Sequence, residues 1–317
     1  MSKSSNKLLK TLLFIGSTAG AIYLFNKHIN DSSLQKNKLK IKEDSFFEWK
    51  LGKIYYQKTG SGEPLLLIHD FSHCDSSYEW SKLVDSLSET HTVYTVDLLG
   101  CGRSDKPQIT YTNFLYVQMI TDFIRNIIGE NTTIITSGFS SSLSIMSCTY
   151  DSSLIDKLIF INPTDISTNN STCTKYAAAV KELLELPLIG TFIYNILTSR
   201  NNMDTHLTEK YVYNPFLINT DLIDTYYESA HRGNSNGRYV LSSYIANYMS
   251  ANLTHGLKSI NKEILIIGGE HAVDIETNIS EYNKLNDKII STIIPKTKKI
   301  PHFESPEEVL TEIKNFL

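Results

Sequence analysis

The sequence predicts an α/β protein: a mostly parallel sheet, helices on both faces and one large helical insertion. Three observations predict it. From residue 45 onward, short wholly apolar runs such as 65–68 (LLLI) alternate with amphipathic stretches, the signature of strands buried on both faces and covered by helices. The alternation stops at Pro163 and resumes at 263–267 (EILII), and the roughly 100 residues between read as mainly helical. Finally, 317 residues with 41% apolar and 20% charged side chains form a globular composition with enough chain for one large α/β domain or two smaller ones.

Taken in order, residues 46–49 (FFEW) and 53–57 (KIYYQ) read as two antiparallel strands, and Gly60-Ser61-Gly62 turns the chain. Strand 65–68 follows, then a helix over 79–88, strand 93–96, a helix over 112–128, strand 133–136, a helix over 141–150 and strand 158–161. In the insertion, 176–197 carries many apolar positions. The stretch 221–232 has an N-cap candidate in Thr220 and a stop in Gly233. A strand near 290–294 and an amphipathic helix over 306–317, opened by Pro306, complete the chain. The implied organisation is an N-terminal anchor and tether over 1–42, the first part of the core over 43–163, a helical cap over 164–258 and the second part of the core over 259–317.

The N-terminal segment stands apart. Residues 11–25 (TLLFIGSTAGAIYLF) carry no charge. With Leu8 and Leu9 they make an apolar stretch of about 27 Å, just short of a ~30 Å hydrocarbon core and broken by Lys10. A single-pass anchor is the leading expectation. A signal peptide cleaved near Ala19-Gly20-Ala21 and a docked or interfacial helix are the alternatives. Lysines on both flanks leave the orientation weakly determined, with the cytoplasmic side favoured. The Lys- and Asn-rich residues 26–42 read as a tether.

Charge narrows the partners. Residues 1–42 hold eight lysines and one acid, which leaves 22 basic against 33 acidic residues in the body. Such a body offers no field for nucleic acid. The four cysteines (Cys74, Cys101, Cys148, Cys173) are far apart and read as reduced thiols. His206, His231, His255 and His271 share no metal-ligand spacing, and no dinucleotide or phosphate-loop fingerprint occurs, so no metal or cofactor is implied.

Chemistry concentrates at Gly138-Phe139-Ser140-Ser141-Ser142, placed after a strand and before a helix. A serine at such a sharp turn is held strained and exposed, and small neighbours two residues either side make room for it. The plainer reading is a Ser-rich helix N-cap. Asp97-Leu98-Leu99-Gly100-Cys101-Gly102-Arg103-Ser104 follows another strand, with Asp97 and Arg103 placed for an ion pair. His69-Asp70-Phe71 ends a third strand, and Glu304-Ser305-Pro306 precedes the last helix. In this order of motifs the chain resembles the α/β-hydrolase superfamily, in particular its lipase, esterase and epoxide-hydrolase-like members with a helical cap. The resemblance covers about 44–163 and 262–317.

The resemblance implies a nucleophilic Ser140, an oxyanion hole from the backbone N–H groups of Phe71 and Ser141, and an acid and a histidine following in that order. The usual histidine position holds Lys299, and the nearest imidazole is His302. The usual acid position holds Ala272, with Asp274 two residues on; an alternative acid position holds Asn162, with Asp165 close by. His302 is thus either the displaced base or a surface histidine, and Asp274 either its orienter or a solvated loop residue. Lys299 is the base of a Ser–Lys dyad in a further alternative. Asp70 replaces a glycine beside the oxyanion hole and is expected to cap a turn. The implied activity is a serine esterase or lipase-like hydrolysis of small apolar esters through an acyl-enzyme. The alternative is a degenerate member, tethered at a membrane, that binds an apolar ligand or a partner. The apolar stretch 183–193 is expected to pack the cap and to line part of an acyl pocket.

Overall fold

The computed structural model describes residues 3–42, 45–166 and 172–317. The expected boundary between residues 42 and 43, and residues 167–171 near the start of the expected cap, lie outside the described residues.

Eight strands form one sheet: β1 (Phe46–Trp49), β2 (Gly52–Thr59), β3 (Pro64–Ile68), β4 (Thr92–Val96), β5 (Thr132–Ser137), β6 (Ile155–Ile161), β7 (Ile264–Gly269) and β8 (Ile289–Ile294). Their spatial order is β1-β2-β4-β3-β5-β6-β7-β8. β1 and β2 pair antiparallel, with Phe46 opposite Tyr55, and β2 pairs antiparallel with β4. From β4 to β8 every pairing is parallel; Leu66 stands beside both Tyr94 and Ile134. The apolar runs lie where burial on both faces demands them: every residue of β3, β5 and β7 is buried.

Helices cover both faces. On one side lie α3 (Asn113–Phe123), α4 (Ser140–Tyr150), α10 (Thr254–Ser259) and α11 (Ile275–Leu285), contributing Tyr116, Met119, Leu143, Leu257 and Tyr282 to one apolar cluster. On the other, α2 (Val84–Leu87) and the final helix α13 (Pro306–Phe316) contribute Leu87, Val309 and Ile313 to a second. The helix expected over 79–88 is only a 3₁₀ turn (Ser77–Trp80) and the single turn α2.

Between β6 and β7 run α5 (Lys175–Glu185), α6 (Ile189–Leu197), α7 (Arg200–His206), α8 (Thr220–His231) and α9 (Gly237–Ile245). α5 and α6 divide the stretch 176–197. Pro187 cannot donate a helical hydrogen bond and disfavours a helical Leu186; Leu186 is extended (ψ 133°) and Leu188 left-handed (φ +63°). A short helix, α12 (Pro301–Glu304), precedes α13.

The N-terminal segment departs from the expected spanning anchor. It is one helix, α1 (Lys3–Ser33), yet among the described residues no helix is long and apolar enough to cross a membrane. Even with Leu8 and Leu9 the apolar stretch reaches only about 27 Å at ~1.5 Å per residue, just short of a ~30 Å hydrocarbon core, and Lys10 breaks it. Nor are residues 26–42 a free tether. Asn26 donates to the Leu188 carbonyl (3.0 Å) and accepts from Asn195 (3.0 Å), and Ser235 donates to Asn30 (2.6 Å). Lys36 pairs with buried Asp224, Lys38 with Asp221 (2.7 Å), and the Lys38 backbone N–H reaches Glu228 (2.6 Å). Leu39 is buried and Phe25 meets Phe192 edge-on at 5.3 Å. The polar partners are acids, amides and a hydroxyl 162 to 205 residues away, which is why the segment looks unpartnered in sequence.

Candidate functional site

The carboxyl ends of the central parallel strands open into a cavity of about 650 Å³, roofed by α6, α7 and α9. Its walls are mostly apolar: Met203, Leu207, Val240, Leu241 and Ile245 from the helices, and Phe71 and Phe139 from the sheet edge. Its floor is polar, formed by Asp70 after β3, Gly138 after β5, Asn162 after β6 and Lys299 after β8. A crevice outside the carboxyl ends of parallel strands is the usual ligand position in such a sheet.

The sharp turn between β5 and α4 falls at Gly138, whose φ is +53°. Glycine tolerates this left-handed backbone without penalty. Two residues later Ser140 is already the first residue of α4, fully buried, and donates its hydroxyl to the His69 carbonyl at 2.5 Å. The strained position expected to carry a nucleophile therefore carries no side chain, and Ser140 does not line the cavity.

The space beside Gly138 is filled by Asp70. A Cβ built on Gly138 would meet Asp70 Oδ1 at 2.2 Å. That oxygen accepts from the backbone N–H groups of Phe71 (2.7 Å) and Phe139 (2.8 Å), while Oδ2 pairs with Lys299 Nζ at 2.8 Å. The expectation that Asp70 caps a turn is thus half right. It does bind the next N–H, but it also points inward, because a second N–H and an ammonium converge on it.

The floor is braced from behind. His69 accepts from the Leu98 N–H through Nε2 (3.0 Å), so its Nδ1 carries the proton and donates to the Asp70 carbonyl (2.6 Å). The Asp70 N–H donates to Glu79 (2.8 Å). Burial raises the cost of charge on Glu79, but His302 beside it overrides burial and holds the carboxyl well below the usual range. Lys299 shows the same balance for a cation: burial alone would weaken its charge, yet Asp70, with Asp75 and Glu79 nearby, raises its pKa above that of an ordinary lysine. The ammonium also lies over the Tyr211 ring at 4.2 Å. Asn162 locks the Lys299 loop by donating to the carbonyls of Lys298 (2.7 Å) and Lys299 (2.9 Å) and accepting from the Gly269 N–H (2.9 Å).

The expected site residues are therefore not gathered. His302 is fully buried, 2.9 Å from Glu79 through Nε2 and stacked on Trp80 at 4.7 Å; it is neither a surface residue nor directed at Ser140. Asp274 is exposed at the start of α11, and Ala272 is half-buried just before it. Asp165 lies in the loop after β6. The Ser141 N–H is committed to the Gly138 carbonyl at 3.3 Å. The two N–H groups that converge on Asp70 at the cavity floor belong to Phe71 and to Phe139, where the resemblance implied Phe71 and Ser141. Asp97 and Arg103 do form the expected ion pair, at 2.7 Å. Among the described residues no cluster of three or more His, Cys, Asp or Glu suits a metal ion.

Comparison with known proteins agrees with this architecture. The α/β hydrolase fold family matches residues 63–306. An uncharacterized protein of Mycobacterium tuberculosis is 27% identical over 139 residues, 42% of this chain and 40% of that one; the chain thus matches about two fifths of the length of its first curated relatives. Among solved structures, a meta-cleavage product hydrolase from Pseudomonas fluorescens has a TM-score of 0.70 at 17% identity, covering 88% of this chain and 98% of that one. A bacterial membrane phospholipase A has a TM-score of 0.69 at 18% identity, covering 98% of this chain and 97% of that one. The eight-stranded sheet, the turn at Gly138 and the match over 63–306 together show that the chain belongs to the α/β-hydrolase fold family.

Proposed function

We propose that the chain binds a small apolar molecule in the cavity between sheet and helices, and does so without a serine acyl-enzyme. The observation that carries this reading is the Asp70 carboxylate accepting from both Phe71 and Phe139 N–H groups. Two such donors stabilise an oxyanion in acyl transfer. Here they already hold a fixed negative oxygen, and a second one beside it would be repelled. Two further features support the reading. Ser140 points to the His69 carbonyl, away from the cavity. Lys299, the amine on the floor, is held protonated by Asp70 and is no base, and a serine hydroxyl needs a base to attack at neutral pH. A cavity of about 650 Å³ is the size that accommodates drug- or lipid-sized molecules. The test is turnover of an activated aryl ester by the wild type and Ser140→Ala. We expect no turnover above the surface background, and none that the substitution removes; saturable turnover abolished by Ser140→Ala would refute the reading.

The same reading places the N-terminal helix at a lipid surface rather than across it. Leu13, Phe14 and Ile15 are 64%, 73% and 58% exposed, and lysines flank the stretch. Exposed apolar side chains beside cations suit an anionic interface. The likeness to a membrane phospholipase A extends over 98% of this chain, including this helix. Full-length protein is expected to float with anionic phospholipid vesicles, and Leu13→Ser/Phe14→Ser/Ile15→Ser to stay in the soluble fraction. Equal flotation of both would count against the interfacial helix.

A further inference from the structure

Within the ligand-binding reading, on which this inference rests, the floor of the cavity also specifies the charge of the ligand. We propose that the cavity selects an uncharged amphiphile, an apolar chain ending in a hydroxyl or amide, and discriminates against a carboxylate or an ammonium of the same chain length. The formal charges on the floor are Lys299 and Asp70, and they neutralise each other at 2.8 Å. The two imidazoles that line the cavity, His73 and His206, add no charge near neutral pH. Burial lowers both, His73 to about 3, with nearby cations acting in the same direction. A charged head group entering from water would lose hydration and find no net counter-charge, an unfavourable exchange.

A neutral head group meets usable partners instead. An ammonium has three N–H donors, and Asp70 takes one of those of Lys299. The Lys299 side chain is 35% exposed while lining the cavity, so a donor neither spent on Asp70 nor turned to the Tyr211 ring is open to an incoming oxygen. A hydroxyl or primary amide accepts from Lys299 and donates to a carboxylate lone pair of Asp70 in the same contact. The alkyl chain then lies against Met203, Leu207, Val240 and Ile245. A carboxylate can only accept, and it brings a second negative charge beside Asp70.

The experiment is calorimetric titration of the full-length protein with 1-decanol, decanamide, decanoate and decylammonium at pH 7.5. The two neutral ligands are expected to bind at least tenfold more tightly than either ion. Asp70→Asn keeps the shape and the acceptor for the Phe71 and Phe139 N–H groups but leaves Lys299 unpaired, and should invert the preference toward decanoate. Lys299→Met leaves Asp70 unpaired and should shift it toward decylammonium; circular dichroism establishes that both variants are folded. Decanoate binding the wild type as tightly as decanol, or the same ligand order in wild type and a folded variant, overturns the charge selectivity while leaving ligand binding intact. Failure of all four ligands to bind overturns the ligand-binding reading itself.

Discussion

Gly138, Asp70 and Lys299 are tolerable only together. Gly138 leaves room for a carboxylate that any Cβ would strike, and its φ of +53° would strain another residue besides. Asp70 holds Lys299 charged, and Lys299 in turn offsets a buried negative charge. Gly138→Ser is therefore expected to destabilise the chain by about 1–3 kcal/mol from backbone strain and contact with Asp70. Combining it with Asp70→Gly should return part of that loss, because the two substitutions share one volume. Thermal denaturation of the two single variants and the double variant checks this. Strict additivity would mean that the two positions do not compete for the same space. At this scale the sequence was only partly legible. The replacement of a glycine by Asp70 and of a histidine by Lys299 was visible, but their pairing was not, because it joins residues 229 positions apart through a turn whose position had to be known. The Gly-x-Ser spacing at 138–140 suggested a turn at Ser140. The left-handed backbone instead takes the residue that carries no side chain, directly after β5, and Ser140 becomes the buried opening of α4.

At the scale of elements, apolar runs such as 65–68 and 264–267 fell inside strands, since burial on both faces leaves little alternative. Segments held by polar contacts were misread. Residues 26–42 look like a solvated linker, yet Lys36 and Lys38 reach Asp224 and Asp221 on α8, and Arg200 reaches Asp224 at 3.0 Å from the other side. Asp224 is only 2% exposed, so removing it leaves two cations without their shared partner. Asp224→Ala is expected to loosen the junction between α1 and α8. Limited trypsin digestion should then cut at Lys36, Lys38 or Lys40 well before it cuts the core. Cleavage at these lysines at the wild-type rate would show that the docking does not depend on Asp224. The break between α5 and α6 was legible in principle, since Pro187 and its restriction of Leu186 are local features. The apolar pattern running through 183–193 hid it.

Across the whole molecule, the fold was the most legible property, because alternation over some 200 residues averages out local errors. The sheet, the layers and the helical insertion follow from it. The activity was less legible because it rests on three or four atoms at the strand ends. There Asp70 occupies the donors that would face an oxyanion, Lys299 is bound to it, and His302 serves Glu79 beneath the floor. The resulting chamber lies at the strand ends, where ligands bind in such sheets, while the backbone donors on its floor are already taken by Asp70.

The central claim is that Ser140 is structural and the cavity floor is closed to acyl transfer. Intact-mass spectrometry of the wild-type protein after prolonged exposure to a fluorophosphonate tests it most directly, since that reagent labels an activated serine. The account predicts an unchanged mass at neutral pH. A stoichiometric adduct mapped to Ser140 would contradict it, because a hydroxyl that is buried and donated to the His69 carbonyl has neither the access nor the base that such labelling requires.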